Sequence, residues 1–543
     1  MTVRQIPPGR YRTVVEILGA AAEINPDLEA YVEPATGGTP RTSLNFSQWE
    51  RAADGVSGLL EAQGVQKGDV VALVLPSCID YAVCYAAAMR LGAITSGINP
   101  RIGRLELDSI MARARPTLSV VDPTLGVALP ATAGSVVPRQ DAAAAFGGPG
   151  PRRRPLLDAR DLVAVVWTSG TTGRPKGAVF DHTNLAAVAR GTDVLSHPGD
   201  RRLSPLPFAH VGYMTRAWDE IAHGVTTVIT PTPWRAADAL SIIETERITV
   251  AQGVPTQWAL VLELDTFDEA DLSSLRIAGT GAAPVPATMV ARMRRRLGVP
   301  VVVRYTSTET SLGTGTAPGD PDEVVATTVG RPVPGVELAL IDEQGGATPT
   351  GEVGRVHLRS GAVMRGYWAD QPASGRPTDG GSGHLIDHEA SASVLSPDGW
   401  VRTGDFGMLT AEGNLTLVGR DNELYIRGGY NVLPAEVEAV LVTHPGIAAV
   451  AVVGTPDDVL GEIGVAFVVR ENATAPEAMP GLDELRRHCA AQLADYKAPD
   501  LLVELEALPV TPMMKVDRRT LGQHASRAAS GRRSRPVSTG GSR

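Results

Sequence analysis

At 543 residues the chain is too long for one hydrophobic core and calls for about two to four domains. Apolar residues make up 43% and charged residues 20%, which excludes a disordered or fibrous chain, and a formal charge of −10 without a basic face outside the extreme C-terminus argues against nucleic acid as main partner. Cys78, Cys84 and Cys489 fit neither a disulfide framework nor a zinc site and read as buried thiols; with no leader-like start and no long apolar run, a cytoplasmic enzyme is expected.

In chain order, "LNFSQWERAADGVSGLLEAQGV" carries apolar residues at helical spacing, "GDVVALVL" reads as a strand, and "YAVCYAAAMRLGAI" is again helical. "PTLSVVD", "LVAVVW", "TTVIT", "ITVAQGV", "LRIAGTG" and "VPVVVRY" are further strands. The alternation implies βα units and largely parallel sheets covered by helices. From about Gly330 the pattern turns to hairpins, "GVELALIDEQGG", "GEVGRVHLRS" and "GNLTLVGR", followed by a final α+β segment. The last residues, 525–543, are rich in Arg, Ser and Gly and read as a solvated, disordered tail.

The strand "LVAVVW" runs into "WTSGTTGRPKGAV", Trp167 to Val179. Such a stretch has too little apolar surface to pack a core, so its ordering has to come from something it binds. A polyphosphate fits: glycines let backbone N–H groups approach phosphate oxygens, while hydroxyls and Lys176 add donors and charge. It is not a Walker loop, because Gly177 rather than a hydroxyl residue follows Lys176, and its glycine spacing does not match a dinucleotide fingerprint.

"TSGTTGRPKG" resembles the phosphate loop of the adenylate-forming superfamily: acyl- and aryl-CoA synthetases, peptide-synthetase adenylation domains and beetle luciferases. The family's other landmarks follow in order: "PLPFAHVG", "GTGAAPV", "YTSTE", "WVRTGD", "GRDNELYIRGGYNVLPAEVE" and "PVTPMMKVDRR". Within the superfamily the chain looks most like fatty-acyl-CoA-synthetase-like ligases. The resemblance implies a large N-terminal ATP- and acyl-binding domain of βα layered sheets plus a distorted β-barrel over residues 1–421. It further implies a hinge at Asn422 and a small mobile α+β domain over 423–524, ahead of the tail.

The reaction implied is attack of a carboxylate on the α-phosphorus of ATP, then attack of a thiol on the acyl-adenylate. The first step joins two anions, so catalysis rests on neutralising charge and on alignment. By resemblance, Thr168, Ser169, Gly170, Thr171, Thr172, Gly173 and Lys176 cradle the phosphates, Glu309 holds Mg2+, and Thr308 contacts the α-phosphate. Asp405 and Arg420 take the ribose, and the adenine lies between Gly281, Ala282, Ala283 and the ring of Tyr305. Lys515 bridges carboxylate and α-phosphate, His210 gates the acyl pocket against the thiol tunnel, and Gly428 with Gly429 lines that tunnel. The cofactors implied are ATP, Mg2+ and coenzyme A; a carrier-protein phosphopantetheine is the alternative acceptor, adenylation without thiolation a further one, and a homodimer a possible assembly.

Three positions depart from the family pattern: Thr306 and Met514 stand where glycine is usual, and Asn422 takes the hinge position. Residues 369–397 read as a flexible Gly/Ser-rich surface insertion, in preference to a metal site built on His384, Asp387, His388 and Glu389. The acyl-pocket segments offer Tyr213, Met214, Trp218 and Trp258. Arg216 is expected at the surface or in a salt bridge, so a hydrophobic monocarboxylate, fatty, aryl or polycyclic, is the expected substrate.

Overall fold

The computed structural model describes residues 3–6, 9–168, 175–281, 285, 287–370, 385–421, 423–428, 430–471, 480–511 and 514–533. The chain divides into two compact units, Met1–Ala339 with His357–Thr403, and Leu340–Val356 with Gly404–Arg543.

The first unit holds two large sheets. One has the order Arg331–Pro332, Thr314–Gly315, Val301–Tyr305, Ile277–Gly281, Val250–Gly253, Arg201–Ser204, Thr226–Ile229, Glu29–Glu33, Thr42–Asn45. Its run from Val301–Tyr305 to Glu29–Glu33 is parallel, with antiparallel pairs only at the edges. The other has the order Ile386–Asp387, Gly366–Trp368, Lys176–Asp181, Leu162–Thr168, Ile94–Gly97, Val70–Val74, Leu118–Val121, Ser135–Pro138. It is parallel from Leu162–Thr168 onward. Val70–Val74 and Leu118–Val121 are buried at every residue, as parallel strands covered on both faces must be, and this is why they read as continuous apolar runs.

The helix Ile79–Arg90 is buried along its whole length, in one core with Phe46, Trp49, Leu60, Phe180 and Met214. Its two ends carry charge that the burial forces into pairs: Asp80 with Arg139, and Arg90 with Glu50 at 2.5 Å. Asn45 and Gln48 close a reciprocal capping box on Phe46–Ala62, as do Asp181 and Asn184 on His182–Gly191, satisfying N–H groups the helices leave open.

The hairpin segment, expected as a distorted barrel, forms a four-stranded sheet in the order Val336–Ile341, Val353–Ser360, Trp400–Leu409, Leu415–Arg420. In the second unit, Tyr430–Val432, Tyr425–Arg427, Gly461–Arg470 and Ile447–Asp457 make a sheet that Leu501–Leu505 joins by parallel pairing with Gly461–Arg470. Pro434–Leu441 and Leu482–Ala490 supply one apolar core of this unit, and Leu521 and Ala525 supply another against Phe467.

Two expectations about segment order are corrected. The helix Arg518–Arg533 runs on past residue 525, where composition alone suggested a disordered tail. Leu521 and Ala525 stand four apart on one face and are fully buried, and Asp517 caps the start by accepting from the Thr520 N–H at 3.1 Å. Residues 534–543 lie outside the described residues. The insertion, likewise, is not flexible throughout: Ile386–Asp387 pairs with Gly366–Trp368, and His388–Ala392 is a helix capped by Asp387. His384 lies outside the described residues, and among those described there is no group of three or more potential metal-ligating His, Cys, Asp or Glu side chains.

Candidate active site

In the first unit the expected site residues follow the carboxyl ends of parallel strands, where open α/β sheets bind their ligands. Thr168 ends Leu162–Thr168, Gly281 ends Ile277–Gly281, Tyr305 ends Val301–Tyr305, and His210 lies shortly after Arg201–Ser204. Gly281 and Arg304 are partners across their strands, and a Cβ on Gly281 would stand 2.1 Å from the Arg304 carbonyl oxygen, so only glycine fits.

Thr168 and Lys176 face each other across an antiparallel pair and form the neck of the glycine-rich loop; the Thr168 hydroxyl donates to the Lys176 carbonyl at 3.3 Å. Ser169, Gly170, Thr171, Thr172 and Gly173 lie outside the described residues. Arg113 braces the loop's return, donating to the Pro175 and Trp368 carbonyls while its guanidinium lies 5.7 Å from the Trp167 ring centroid.

The Lys176 ammonium lies 5.0 Å from the centroid of the Tyr367 ring, and the Tyr367 hydroxyl donates to Glu309 Oε1 at 2.8 Å. Burial, with the neighbouring Glu309 carboxylate, pushes the Tyr367 phenol well above its usual range, so it stays protonated and donating. The Glu309 carbonyl accepts from the Met364 N–H at 2.8 Å. Thus Lys176 and Glu309, far apart in sequence, meet on one tyrosine, the lysine over its ring and the carboxylate at its hydroxyl.

Tyr305 is buried, and Thr308 is half-buried in the turn before Glu309. Thr306 is exposed; its hydroxyl donates to the Ser307 carbonyl at 3.2 Å and meets the Thr310 hydroxyl at 3.3 Å. Ala282 and Ala283 lie outside the described residues. His210 caps the short helix Val211–Met214, its Nδ1 accepting from the Gly212 N–H at 3.1 Å.

The segment after His210 is anchored from several sides. Phe208 and Tyr213 stack with ring centroids 3.6 Å apart, Tyr213 meets the Tyr31 hydroxyl at 3.1 Å, and Tyr85 donates to the Met214 carbonyl at 2.7 Å. Tyr213, Met214, Trp218 and Trp258 are all buried. Arg216 is largely buried and salt-bridged, 3.8 Å from Asp219, and burial together with Arg202 lowers its guanidinium to about 10. Asp219 also accepts from Thr192 at 2.8 Å, Ser196 at 2.9 Å and Arg202 at 3.1 Å.

In the second unit, pairing of Trp400–Leu409 with Leu415–Arg420 sets Asp405 opposite Arg420, and the Arg420 Nε donates to Asp405 Oδ1 at 2.6 Å. Lys515 sits in a turn closed by the Thr511 N–H donating to the Lys515 carbonyl at 2.7 Å. Among the described residues its ammonium has no carboxylate partner; burial, and then the positive Arg420, depress its pKa. Met514, just before it, adopts φ 59°, the left-handed region that glycine occupies at low cost. Gly428 has φ 58° and its N–H donates to the Leu460 carbonyl at 2.7 Å; Gly429 and Asn422 lie outside the described residues.

Beside Tyr425–Arg427, a cavity of about 360 Å3 is lined by Arg427, Arg486, Arg487, Asp495 and Tyr496. Arg427 is spent on Asp500 through two hydrogen bonds of 2.9 and 2.7 Å, and Tyr496 stacks on Tyr430 at 4.4 Å.

Sequence reasoning missed Tyr367 and Arg113. The signal for Tyr367 was its place in "GYW", a short strand at the start of the insertion; for Arg113 there was none.

The model of the AMP-binding enzyme family matches residues 18–368, and that of the AMP-binding enzyme C-terminal domain matches 436–515. The long-chain-fatty-acid–CoA ligase FadD13 of Mycobacterium tuberculosis is 30% identical over 530 residues, 94% of this chain and 98% of that protein. A 3-[(3aS,4S,7aS)-7a-methyl-1,5-dioxo-octahydro-1H-inden-4-yl]propanoyl:CoA ligase of the same species is 34% identical over 503 residues, 87% of this chain and 92% of that protein. Among solved structures, the anthranilate CoA ligase AuaEII in complex with anthranoyl-AMP superposes with a TM-score of 0.81 at 26% identity, covering 97% of this chain and 99% of that one. The motif order, the two units and the paired Asp405 and Arg420 thus have one explanation: the chain belongs to the AMP-binding enzyme family of adenylate-forming ligases.

Proposed function

We propose that the chain activates a hydrophobic carboxylic acid, fatty, aryl or polycyclic, as its acyl-adenylate and passes the acyl group to coenzyme A. Its family makes it an AMP-forming acid–thiol ligase that uses ATP, Mg2+ and CoA. The residue roles that follow are our assignments.

The observation that supports the reading is the convergence of Lys176 and Glu309 on Tyr367, which brings to one side chain an ammonium suited to phosphates and a carboxylate suited to a divalent cation. Among the described residues one Glu309 oxygen is held by the phenol and the other accepts nothing. A single free carboxylate oxygen suits Mg2+, which prefers oxygen ligands and takes the remainder from phosphates and water. Held by Glu309, the ion would supply positive charge against the phosphates. Lys176 and the Thr168 hydroxyl hold the outgoing phosphates, and Asp405 with Arg420 accepts from and donates to the ribose. To Lys515, whose ammonium has no carboxylate partner among the described residues, we assign the charge offered to the carboxylate and the α-phosphate.

The acid is read from the apolar side chains of the pocket segments: Tyr213, Met214, Trp218 and Trp258 are all buried. Arg216 is paired with Asp219 at 3.8 Å, and its Nη1 makes no hydrogen bond among the described residues. The fatty-acyl and polycyclic propanoyl ligases similar to this chain act on such hydrophobic acids. With free CoA as the acceptor we propose a cytoplasmic location. Among the described residues no helix is long and apolar enough to cross a membrane. The test is kcat/KM over a panel of acids with mass detection of the thioester. Long-chain and ring-bearing monocarboxylates should lead, with each extra buried methylene contributing about 0.8 kcal/mol; acetate or malonate at the top would overturn the pocket reading.

A further inference from the structure

We propose that Tyr367 is the positioning residue of the metal site: it aims the Glu309 carboxylate at the divalent cation and keeps Lys176 beside the same site. The inference rests on the assignment of Glu309 as the magnesium ligand.

Glu309 is gripped at two points by one short segment, its carbonyl by the Met364 N–H and its Oε1 by the Tyr367 hydroxyl, each at 2.8 Å. A carboxylate fixed by one oxygen presents the other in a set direction. The donor is neutral, so it orients the carboxylate without cancelling the negative charge a cation needs; an arginine or lysine there would cancel it. Tyr367 is itself fixed: it is 4% exposed, pairs with Ala178, and its N–H donates to Ser391 Oγ at 2.8 Å. Ser391 belongs to the helix His388–Ala392, so the ordered end of the insertion supports the tyrosine.

The ring does a second job. Lys176 lies over it, 5.0 Å from its centroid, while Glu309 is bonded at its hydroxyl, so one side chain engages both groups. The cation–π contact keeps Lys176 near the site yet leaves its three donors for phosphate. Direct pairing of Lys176 with Glu309 would consume both groups before MgATP arrives.

The experiment is electron paramagnetic resonance titration of Mn2+ into the full-length enzyme with saturating ATP and no acid, alongside the Mg2+ dependence of pyrophosphate release and the KM for the acid. Tyr367→Phe keeps the ring and removes only the donor. It should weaken Mn2+ binding about tenfold and raise half-saturating Mg2+ by the same factor, with the KM for the acid unchanged. Glu309→Asp, which withdraws the carboxylate by one methylene, should lose a similar factor, and the double variant should be within about twofold of the weaker single, as for groups acting as one unit. Unchanged Mn2+ affinity in Tyr367→Phe, or losses that multiply in the double variant, would overturn the positioning role. If Tyr367→Phe does not fold, Glu309→Asp decides: full Mn2+ affinity there refutes the need for an aimed carboxylate. Glu309→Gln binding Mn2+ as tightly as wild type would instead overturn the Glu309 assignment, and the role of Tyr367 with it.

Discussion

Met514 holds a left-handed φ of 59° one residue before Lys515, a conformation costing a side-chain-bearing residue roughly 1–2 kcal/mol. The turn it shapes is closed at both ends of Thr511–Lys515, so the strain is fixed by the hydrogen bonds that present the lysine. Met514→Gly should therefore stabilise the protein by up to about 1 kcal/mol in chemical denaturation, the relief being partly offset by the greater freedom of glycine in the unfolded chain. A destabilised glycine variant would show that the methionine side chain contributes more by packing than its backbone costs.

Lys515 is uncomfortable in a related way. Its folded pKa lies below the free value of 10.5, so the folded state carries a penalised ammonium at every pH below that folded pKa. The penalty is relieved as pH rises through the folded pKa towards 10.5. Lys515→Met should accordingly be more stable than wild type at neutral pH, by a margin that shrinks as pH rises through that window; thermal melts across the range check the sign. The same residue carries the first half-reaction: Lys515→Ala should lose about 10²-fold or more in acyl-adenylate formation yet keep thioester formation from supplied acyl-adenylate. Equal loss in both single-turnover assays would remove it from that role.

At the scale of elements, the parallel strands were legible because burial on both faces writes an uninterrupted apolar run, as in Val70–Val74. Of the candidate site, the pairings were legible where the residues sit in one contiguous motif, such as the Thr168 to Lys176 neck, and where a hairpin brings near neighbours into register, as with Asp405 and Arg420. Tyr367 was not, because its partner Glu309 lies 58 residues away and they meet only through the pairing of a three-residue strand. The final helix was hidden by composition: its Arg and Ser content masked the two apolar positions, Leu521 and Ala525, that pin it.

The second unit also carries an element-scale expectation about the thiol substrate. Arg486 and Arg487, on the helix Leu482–Ala490, have no acidic partner among the described residues and face a cavity beside the stacked Tyr430 and Tyr496. Two uncommitted guanidiniums beside an aromatic surface suit the phosphorylated purine end of CoA. The double change Arg486→Ala with Arg487→Ala should raise the KM for CoA about tenfold and leave pyrophosphate release untouched; an unchanged KM for CoA would exclude this surface.

For the whole molecule, the proposed chemistry needs one acyl-adenylate to be served first by Lys515 and then by the stretch around Gly428, both in the second unit. We propose Asn422, which lies outside the described residues, as the hinge of this change of role, because asparagine tolerates unusual dihedrals whereas proline fixes φ near −65°. Asn422→Pro should keep adenylation within about tenfold of wild type and cut thioester formation by roughly 10²-fold or more. Full thioester formation in that variant would place the hinge elsewhere.

Beneath these expectations lies one claim, that a carboxylate oxygen attacks the α-phosphorus of ATP. It is read directly by supplying a hydrophobic acid labelled with 18O in its carboxylate, together with ATP, Mg2+ and CoA, and analysing the nucleotide product by mass spectrometry. The account predicts AMP carrying one 18O, in step with unlabelled pyrophosphate and the acyl-CoA. Label appearing in inorganic phosphate with ADP as the nucleotide product, or AMP free of label, would contradict it.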